Sequence, residues 1–235
     1  METVRSVGDA SAERIGLGSR WMARGASGRS RAARDAALSL DLQFPASEIP
    51  RLAGAYRLDA RERAAFAAGA RIRAGDFSRD QLAPILTWKV NDRGRSRPSR
   101  NSDEEVADAL RTALLATTPR AAVAVLVGLS GVAVPVASAI LATIRPEHYS
   151  VLDPRGFRAL GCGPLDIGAR ASMPLDLYLA YLGYCRDLAC ACGVPLHDLD
   201  RAFWQWSKAR DEAATGLFVP GLGARRPDAA RPIPA

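Results

Sequence analysis

Lysine is almost absent from this chain, since of its 32 basic residues only Lys89 and Lys208 are lysines. Beside so much alanine, the arginine bias points to a GC-rich genome, which makes each retained lysine worth noting. Histidine is confined to His148 and His197; neither has a partner in sequence, and neither is assigned a role. The four cysteines, Cys162, Cys185, Cys190 and Cys192, show no CxxC spacing and no nearby histidine cluster, which argues against a zinc site. Three of them fall in an apolar helical stretch and read as reduced thiols of a cytosolic protein. No apolar segment follows the amino-terminal arginines, so no secretory signal is expected, and Glu2, Asp9 and Glu13 argue against a mitochondrial presequence. Internal repeats and sustained period-two alternation are missing too, while helix start signals recur at short intervals. The core is therefore expected to be all-α.

What is present begins with length and charge. At 235 residues the chain can bury one sizeable core, or that of two lobes, without disulfide or metal staples. Its net charge of +7 and sequence pI near 9.7 suit a polyanionic partner, although charge alone does not establish one. Residues 1–35 mix Gly, Ser, Ala and Arg without apolar periodicity, and residues 216–235 run through Gly and Pro, so both are expected to be disordered tails. Residues 36–215 form the expected helical domain.

Within it, Ser78 with Gln81, and Ser102 with Glu105, have capping-box spacing. They open predicted helices through Lys89 and through Ala116. The intervening segment carries Arg93, Arg95, Arg97 and Arg100 with Gly94 and Pro98; it reads equally as a solvated loop or as one lying along phosphates. Thr118-Pro119 and Asp153-Pro154 each supply an N-cap followed by proline at the first helical position. Two late helices, from Pro174 to about Cys192 and from Asp200 to about Ala214, are parted by Gly193-Val194-Pro195.

Residues 121–144 contain no charge and are bounded by Arg120 and Arg145, so their length would suffice for a membrane span. Gly128, Ser130, Gly131 and Pro135 near the midpoint oppose that reading, because a spanning helix would have to satisfy the freed backbone groups in lipid. Two short buried helices broken at 129–133 are expected instead.

The residues Leu129-Ser130-Gly131-Val132-Ala133-Val134-Pro135, followed by an Ala-rich helix, resemble the signature of the helix-hairpin-helix DNA glycosylase superfamily. Twenty-two residues beyond Gly131, Val151-Leu152-Asp153-Pro154 is similar to the family segment in which an apolar pair precedes a catalytic aspartate. Ile85 to Lys89 and Asn101 to Val106 resemble, less closely, the helix pair that carries the family's DNA wedge. The resemblance covers residues 80–210 and implies a two-lobed helical bundle. In it the hairpin, within 119–145, grips duplex DNA by the backbone around Ser130, Gly131, Ala133 and Val134, and Asp153, within 149–160, is the catalytic carboxylate. It also implies a monomer in the bacterial cytoplasm, associated with the nucleoid.

Three departures shape the expectation. Ala133 replaces the second hairpin glycine. Pro135 stands where lyase-active members carry their Schiff-base lysine, which excludes that reaction by this residue. The cysteine spacing does not match the family's iron-sulfur loop, so no cofactor is implied beyond room for a monovalent cation at the hairpin. The expected activity is hydrolysis of the N-glycosidic bond of a flipped base, with a non-catalytic DNA-binding module as the alternative. Lys89 is a candidate to hold a phosphate, fill the vacated stack or act as an amine nucleophile. Trp88 and Trp204 are candidates for wedge or base pocket. Trp204 and Trp206, two apart on a helix, cannot both face one core.

Overall fold

The computed structural model describes residues 40–90, 100–162 and 174–216, with side chains as far as 211. Apart from Gly216, which ends the last helix, both predicted tails lie outside the described residues, as do Arg93, Arg95 and Arg97. Among the described residues every regular element is helical. After a short 3₁₀ turn come α1 (Ile49–Ala55), α2 (Ala60–Arg73), α3 (Arg79–Val90), α4 (Asp103–Leu115) and α5 (Pro119–Val127). They are followed by α6 (Val134–Ile144), α7 (Pro154–Ala159), α8 (Leu175–Cys192) and α9 (Leu196–Gly216).

The uncharged run forms two helices. Only Pro135 of α6 escapes burial, as expected of a helix apolar on all sides. It lies at the centre of the bundle, with α2, α3, α4 and α5 packed around it, and no described helix is long and apolar enough to cross a membrane. Gly69 lets α2 approach α6 closely, for a Cβ there would stand 2.2 Å from the carbonyl oxygen of Thr143. Four residues on, the Arg73 guanidinium donates to the carbonyls of Thr143 and Ile144 at 3.0 and 3.1 Å. That supplies cationic partners at the carboxyl end of α6, where the helix dipole favours them.

α9 packs on α1, α7 and α8. It begins at Leu196, a turn before the expected Asp200, because the chain can resume helix directly after Pro195. Asp211 draws α7 onto α9 by pairing with Arg155 at 3.0 Å and Arg158 at 2.5 Å.

The local signals performed unevenly. Ser102 and Glu105 form their reciprocal capping box, and Thr118 and Asp153 cap α5 and α7. The box expected at Ser78 and Gln81 does not form. The Gln81 amide donates to the Ser78 carbonyl at 3.1 Å rather than to its hydroxyl, and Asp76 takes the Ser78 amide at 3.1 Å that Gln81 would have accepted, since a carboxylate outcompetes a neutral acceptor for the same N–H group.

Candidate active site

Between α5 and α6 the chain reverses over residues 128–133. The amide of Val132 donates to Leu129 at 3.1 Å, and Gly131 turns the chain at φ +79°, a conformation that glycine adopts without strain. Ser130, Gly131 and Ala133 are exposed, while the Val134 side chain is buried. Ala133 stands at the N-cap of α6 with no side chain able to cap it. Among the described residues, the amides of Gly131, Ala133 and Val134 have no backbone acceptor. These donors at the positive end of α6 are the physical requirement for holding an anion.

Asn101 secures this turn. Its side chain accepts from the Ser130 amide at 2.7 Å and donates to the Ser130 carbonyl at 3.1 Å, although it is only 7% exposed. Arg100 is exposed beside it in sequence. Replacing Asn101 by alanine is expected to cost about 1–3 kcal/mol of stability through two unsatisfied peptide groups, with faster amide exchange at Ser130 in the folded protein. Unchanged exchange there would show that the turn holds itself.

The segment leading to Asp153 is extended, and its peptide groups bond to side chains from four helices. The Ser150 carbonyl accepts from Tyr178 at 3.0 Å, and the Val151 carbonyl from Tyr181 at 3.2 Å. The Val151 amide donates to Asp200 at 3.0 Å, and the Leu152 amide to the Ser138 hydroxyl at 2.9 Å. The Leu152 carbonyl accepts from Lys89 Nζ at 2.7 Å. Buried peptide groups outside regular structure require such partners. Here the partners belong to α8, α9, α6 and α3, so Asp153 is held in register with all four. Its Oδ1 accepts the Arg155 amide at 2.6 Å, and Oδ2 accepts no hydrogen bond among the described residues.

Asp153 borders a cavity of about 70 Å³ walled by Phe66, Trp88, Tyr149 and Trp204, with Glu62 and Asp200 also on its surface. Trp88 packs edge-on against Phe66 at 5.7 Å. Trp204 meets Tyr56 at 5.2 Å and lies beneath the Arg155 guanidinium at 5.0 Å. Trp206 points elsewhere, stacked on Phe44 at 5.4 Å, as the two-residue spacing requires.

Lys89 does not lie on the surface as a phosphate contact would. Its amine is turned inward, and burial pushes its pKa down, opposed by the nearby carboxylates of Asp153 and Asp200. Thus Lys89 and Asp153, 64 positions apart in sequence, meet in one site. Asp200 is the group that sequence reasoning missed. Burial raises its carboxyl to about 7, opposed by hydrogen bonds from Ser150 and Val151, with Asp153 adding to the rise and Lys89 opposing it. Helical spacing is the signal that could have found it, since Asp200 and Trp204 are four apart and share a face of α9. Glu62, Tyr56 and His197 also border the cavity; the spacing of Glu62 from Asp59 points to a helix cap rather than to a site.

The Asp200 shift has a stability consequence. Between its ordinary value of 3.8 and about 7, the folded protein keeps a proton that the unfolded chain has released. Its contribution is therefore greatest below pH 4 and is lost as pH rises towards 7. Urea midpoints of the wild type should fall over that interval, and those of Asp200→Asn should fall less. Parallel curves would mean that Asp200 ionises normally.

Among the described residues no group of three or more His, Cys, Asp and Glu side chains gathers to hold a metal ion. Cys185 is buried, Cys162 and Cys192 are partly so, and Cys190 is exposed. Comparison with protein-family models, with curated proteins and with solved structures finds no match.

Proposed function

We propose that this protein binds duplex DNA through the α5–α6 hairpin, draws one base out of the stack into the aromatic cavity, and hydrolyses its glycosidic bond with Asp153. It would then be a two-lobed base-excision glycosylase of the helix-hairpin-helix type. The observation that carries the reading is the Leu152–Ser138 hydrogen bond. It fastens the acid-bearing segment to the second helix of the hairpin, so that a strand gripped at the turn and a base near Asp153 would share one frame.

The chemistry follows from charge. As the base departs with the bonding electrons, positive charge grows on the sugar, and a fixed carboxylate stabilises it. The unengaged Oδ2 of Asp153 is suited to that task and to accepting a proton from water as its oxygen bonds to the sugar carbon. Aromatic walls suit a base that has lost its stacking neighbours. Lys89 is engaged by the Leu152 carbonyl at 2.7 Å, which favours a positioning role over that of a nucleophile.

The test is a panel of duplexes bearing oxidised, deaminated and alkylated bases, assayed for abasic sites by alkaline cleavage. At least one duplex should yield them. Salt-sensitive binding without abasic product from any duplex would favour the second reading, a non-catalytic DNA-binding module. Ala133 and Pro135 lend that reading support, because they loosen the phosphate grip and remove one amide from the first turn of α6.

A further inference from the structure

Glu62 is only 3% exposed, and nothing in the proposed hydrolysis uses it. It is the third residue of α2, where capping-box spacing from Asp59 would send its carboxylate back to the cap. The Asp59 carboxylate does accept the Glu62 amide at 2.7 Å, but the Glu62 side chain leaves the cap and turns inward. Its Oε2 accepts the Tyr56 hydroxyl at 2.5 Å. Its Oε1 makes no hydrogen bond among the described residues, and Arg201 Nη2 stands 3.8 Å from it, beyond hydrogen-bond distance.

That second oxygen is accessible. Among the described residues, no fully enclosed side-chain oxygen or nitrogen lacks a hydrogen-bond partner, so the unbonded Oε1 must border open space. Glu62 and Arg201 both line the cavity. Arg201 spends Nη1 on Asp198 at 3.1 Å, whereas Nη2 makes no hydrogen bond among the described residues. An acceptor and a donor therefore stand side by side in the aromatic cavity. A carboxylate so little exposed would cost stability if its only purpose were packing.

We infer that Glu62 and Arg201 read the polar edge of the base in this cavity, selecting a lactam-type base whose ring N–H donates to Glu62 and whose adjacent carbonyl accepts from Arg201. The inference rests on the reading above, in that the cavity receives an extruded base. A lactam suits the pair because its ring N–H is the most acidic donor a neutral nucleobase offers, and its carbonyl oxygen has two lone pairs for a guanidinium. An amino-type base offers a weaker N–H donor and a ring nitrogen with a single lone pair. Burial raises the pKa of Glu62, with the Tyr56 hydrogen bond and Arg201 opposing the rise and Asp59 adding to it. Tyr56 also fixes the carboxylate's direction, which a reading group requires.

The experiment is equilibrium dialysis of the full chain against deoxyinosine and N1-methyldeoxyinosine, in which a methyl group replaces the N–H assigned to Glu62. Wild type should bind deoxyinosine at least about tenfold more tightly, the scale of a hydrogen bond to a charged group. Glu62→Ala should bring the two ligands to within about threefold of each other. Since Glu62 lies in the first turn of α2, circular dichroism accompanies that variant. Arg201→Met tests the pair from α9, and should weaken deoxyinosine binding at least about fivefold.

Equal binding of the two nucleosides to wild type, no detectable binding of deoxyinosine, or a preference that survives both substitutions would overturn the inference. The two proposals fail separately. A preference dependent on Glu62 in a protein that leaves every duplex intact would remove hydrolysis but keep the reading group. Base release indifferent to Glu62 would do the reverse.

Discussion

Asparagine at position 153 is expected to slow base release by about a thousandfold while leaving duplex affinity unchanged. The magnitude follows from electrostatics. A carboxylate about 4 Å from a developing unit charge, at an effective dielectric of about 20, contributes on the order of 4 kcal/mol, and each ~1.4 kcal/mol is tenfold in rate. Asparagine removes the charge and keeps the shape. It also keeps an oxygen for the Arg155 amide that Asp153 now holds at 2.6 Å, and asparagine caps helices as well as aspartate does. α7 should therefore remain in place, and the thermal midpoint should move little. Single-turnover release from the most reactive duplex of the panel, with affinity measured in parallel, is the direct test. A variant that releases base at the wild-type rate removes Asp153 from the chemistry.

The largest loss of stability is expected from Gly69→Ala. An added Cβ would stand 2.2 Å from the carbonyl oxygen of Thr143 and 2.5 Å from its carbonyl carbon. These are backbone atoms of α6, so no side-chain rotation relieves the clash. Nor can the carbonyl withdraw freely, because Arg73 donates to it at 3.0 Å. Separating α2 from the central helix would open the core on both sides. The expected cost is about 3 kcal/mol, at the upper end for overpacking, read as a lower urea midpoint with an unchanged slope. A variant as stable as wild type would mean that the two helices do not approach this closely.

Residues whose influence reaches only a few positions along the chain are legible in the sequence. Gly131, Thr118-Pro119, Ser102 with Glu105 and Asp153-Pro154 each carry a local physical instruction. The reversal of the uncharged run, and the caps of α4, α5 and α7, follow from those instructions. Ser78 with Gln81 shows their limit. The same spacing failed there because Asp76, two residues upstream, offered a stronger acceptor. Trp204 was legible as a candidate because helical geometry forces one of the Trp204 and Trp206 pair away from the other. Neighbouring residues alone could not assign Asp200 or Glu62 a role, since those roles depend on what the two side chains face across the fold.

By itself the sequence determined that the chain is helical, where the hairpin turns, and that an acid begins the helix after it. Those properties arise from backbone torsion, capping and apolar periodicity, all of them short-range. Only the tertiary structure decided that Lys89, Ser138, Tyr178, Tyr181 and Asp200 converge on three consecutive peptide groups beside that acid. It likewise decided that Glu62 meets Arg201 across a cavity wall. The reason is that a hydrogen bond between distant residues depends on how helices pack, and packing is settled by shape and volume over the whole core rather than by any one segment.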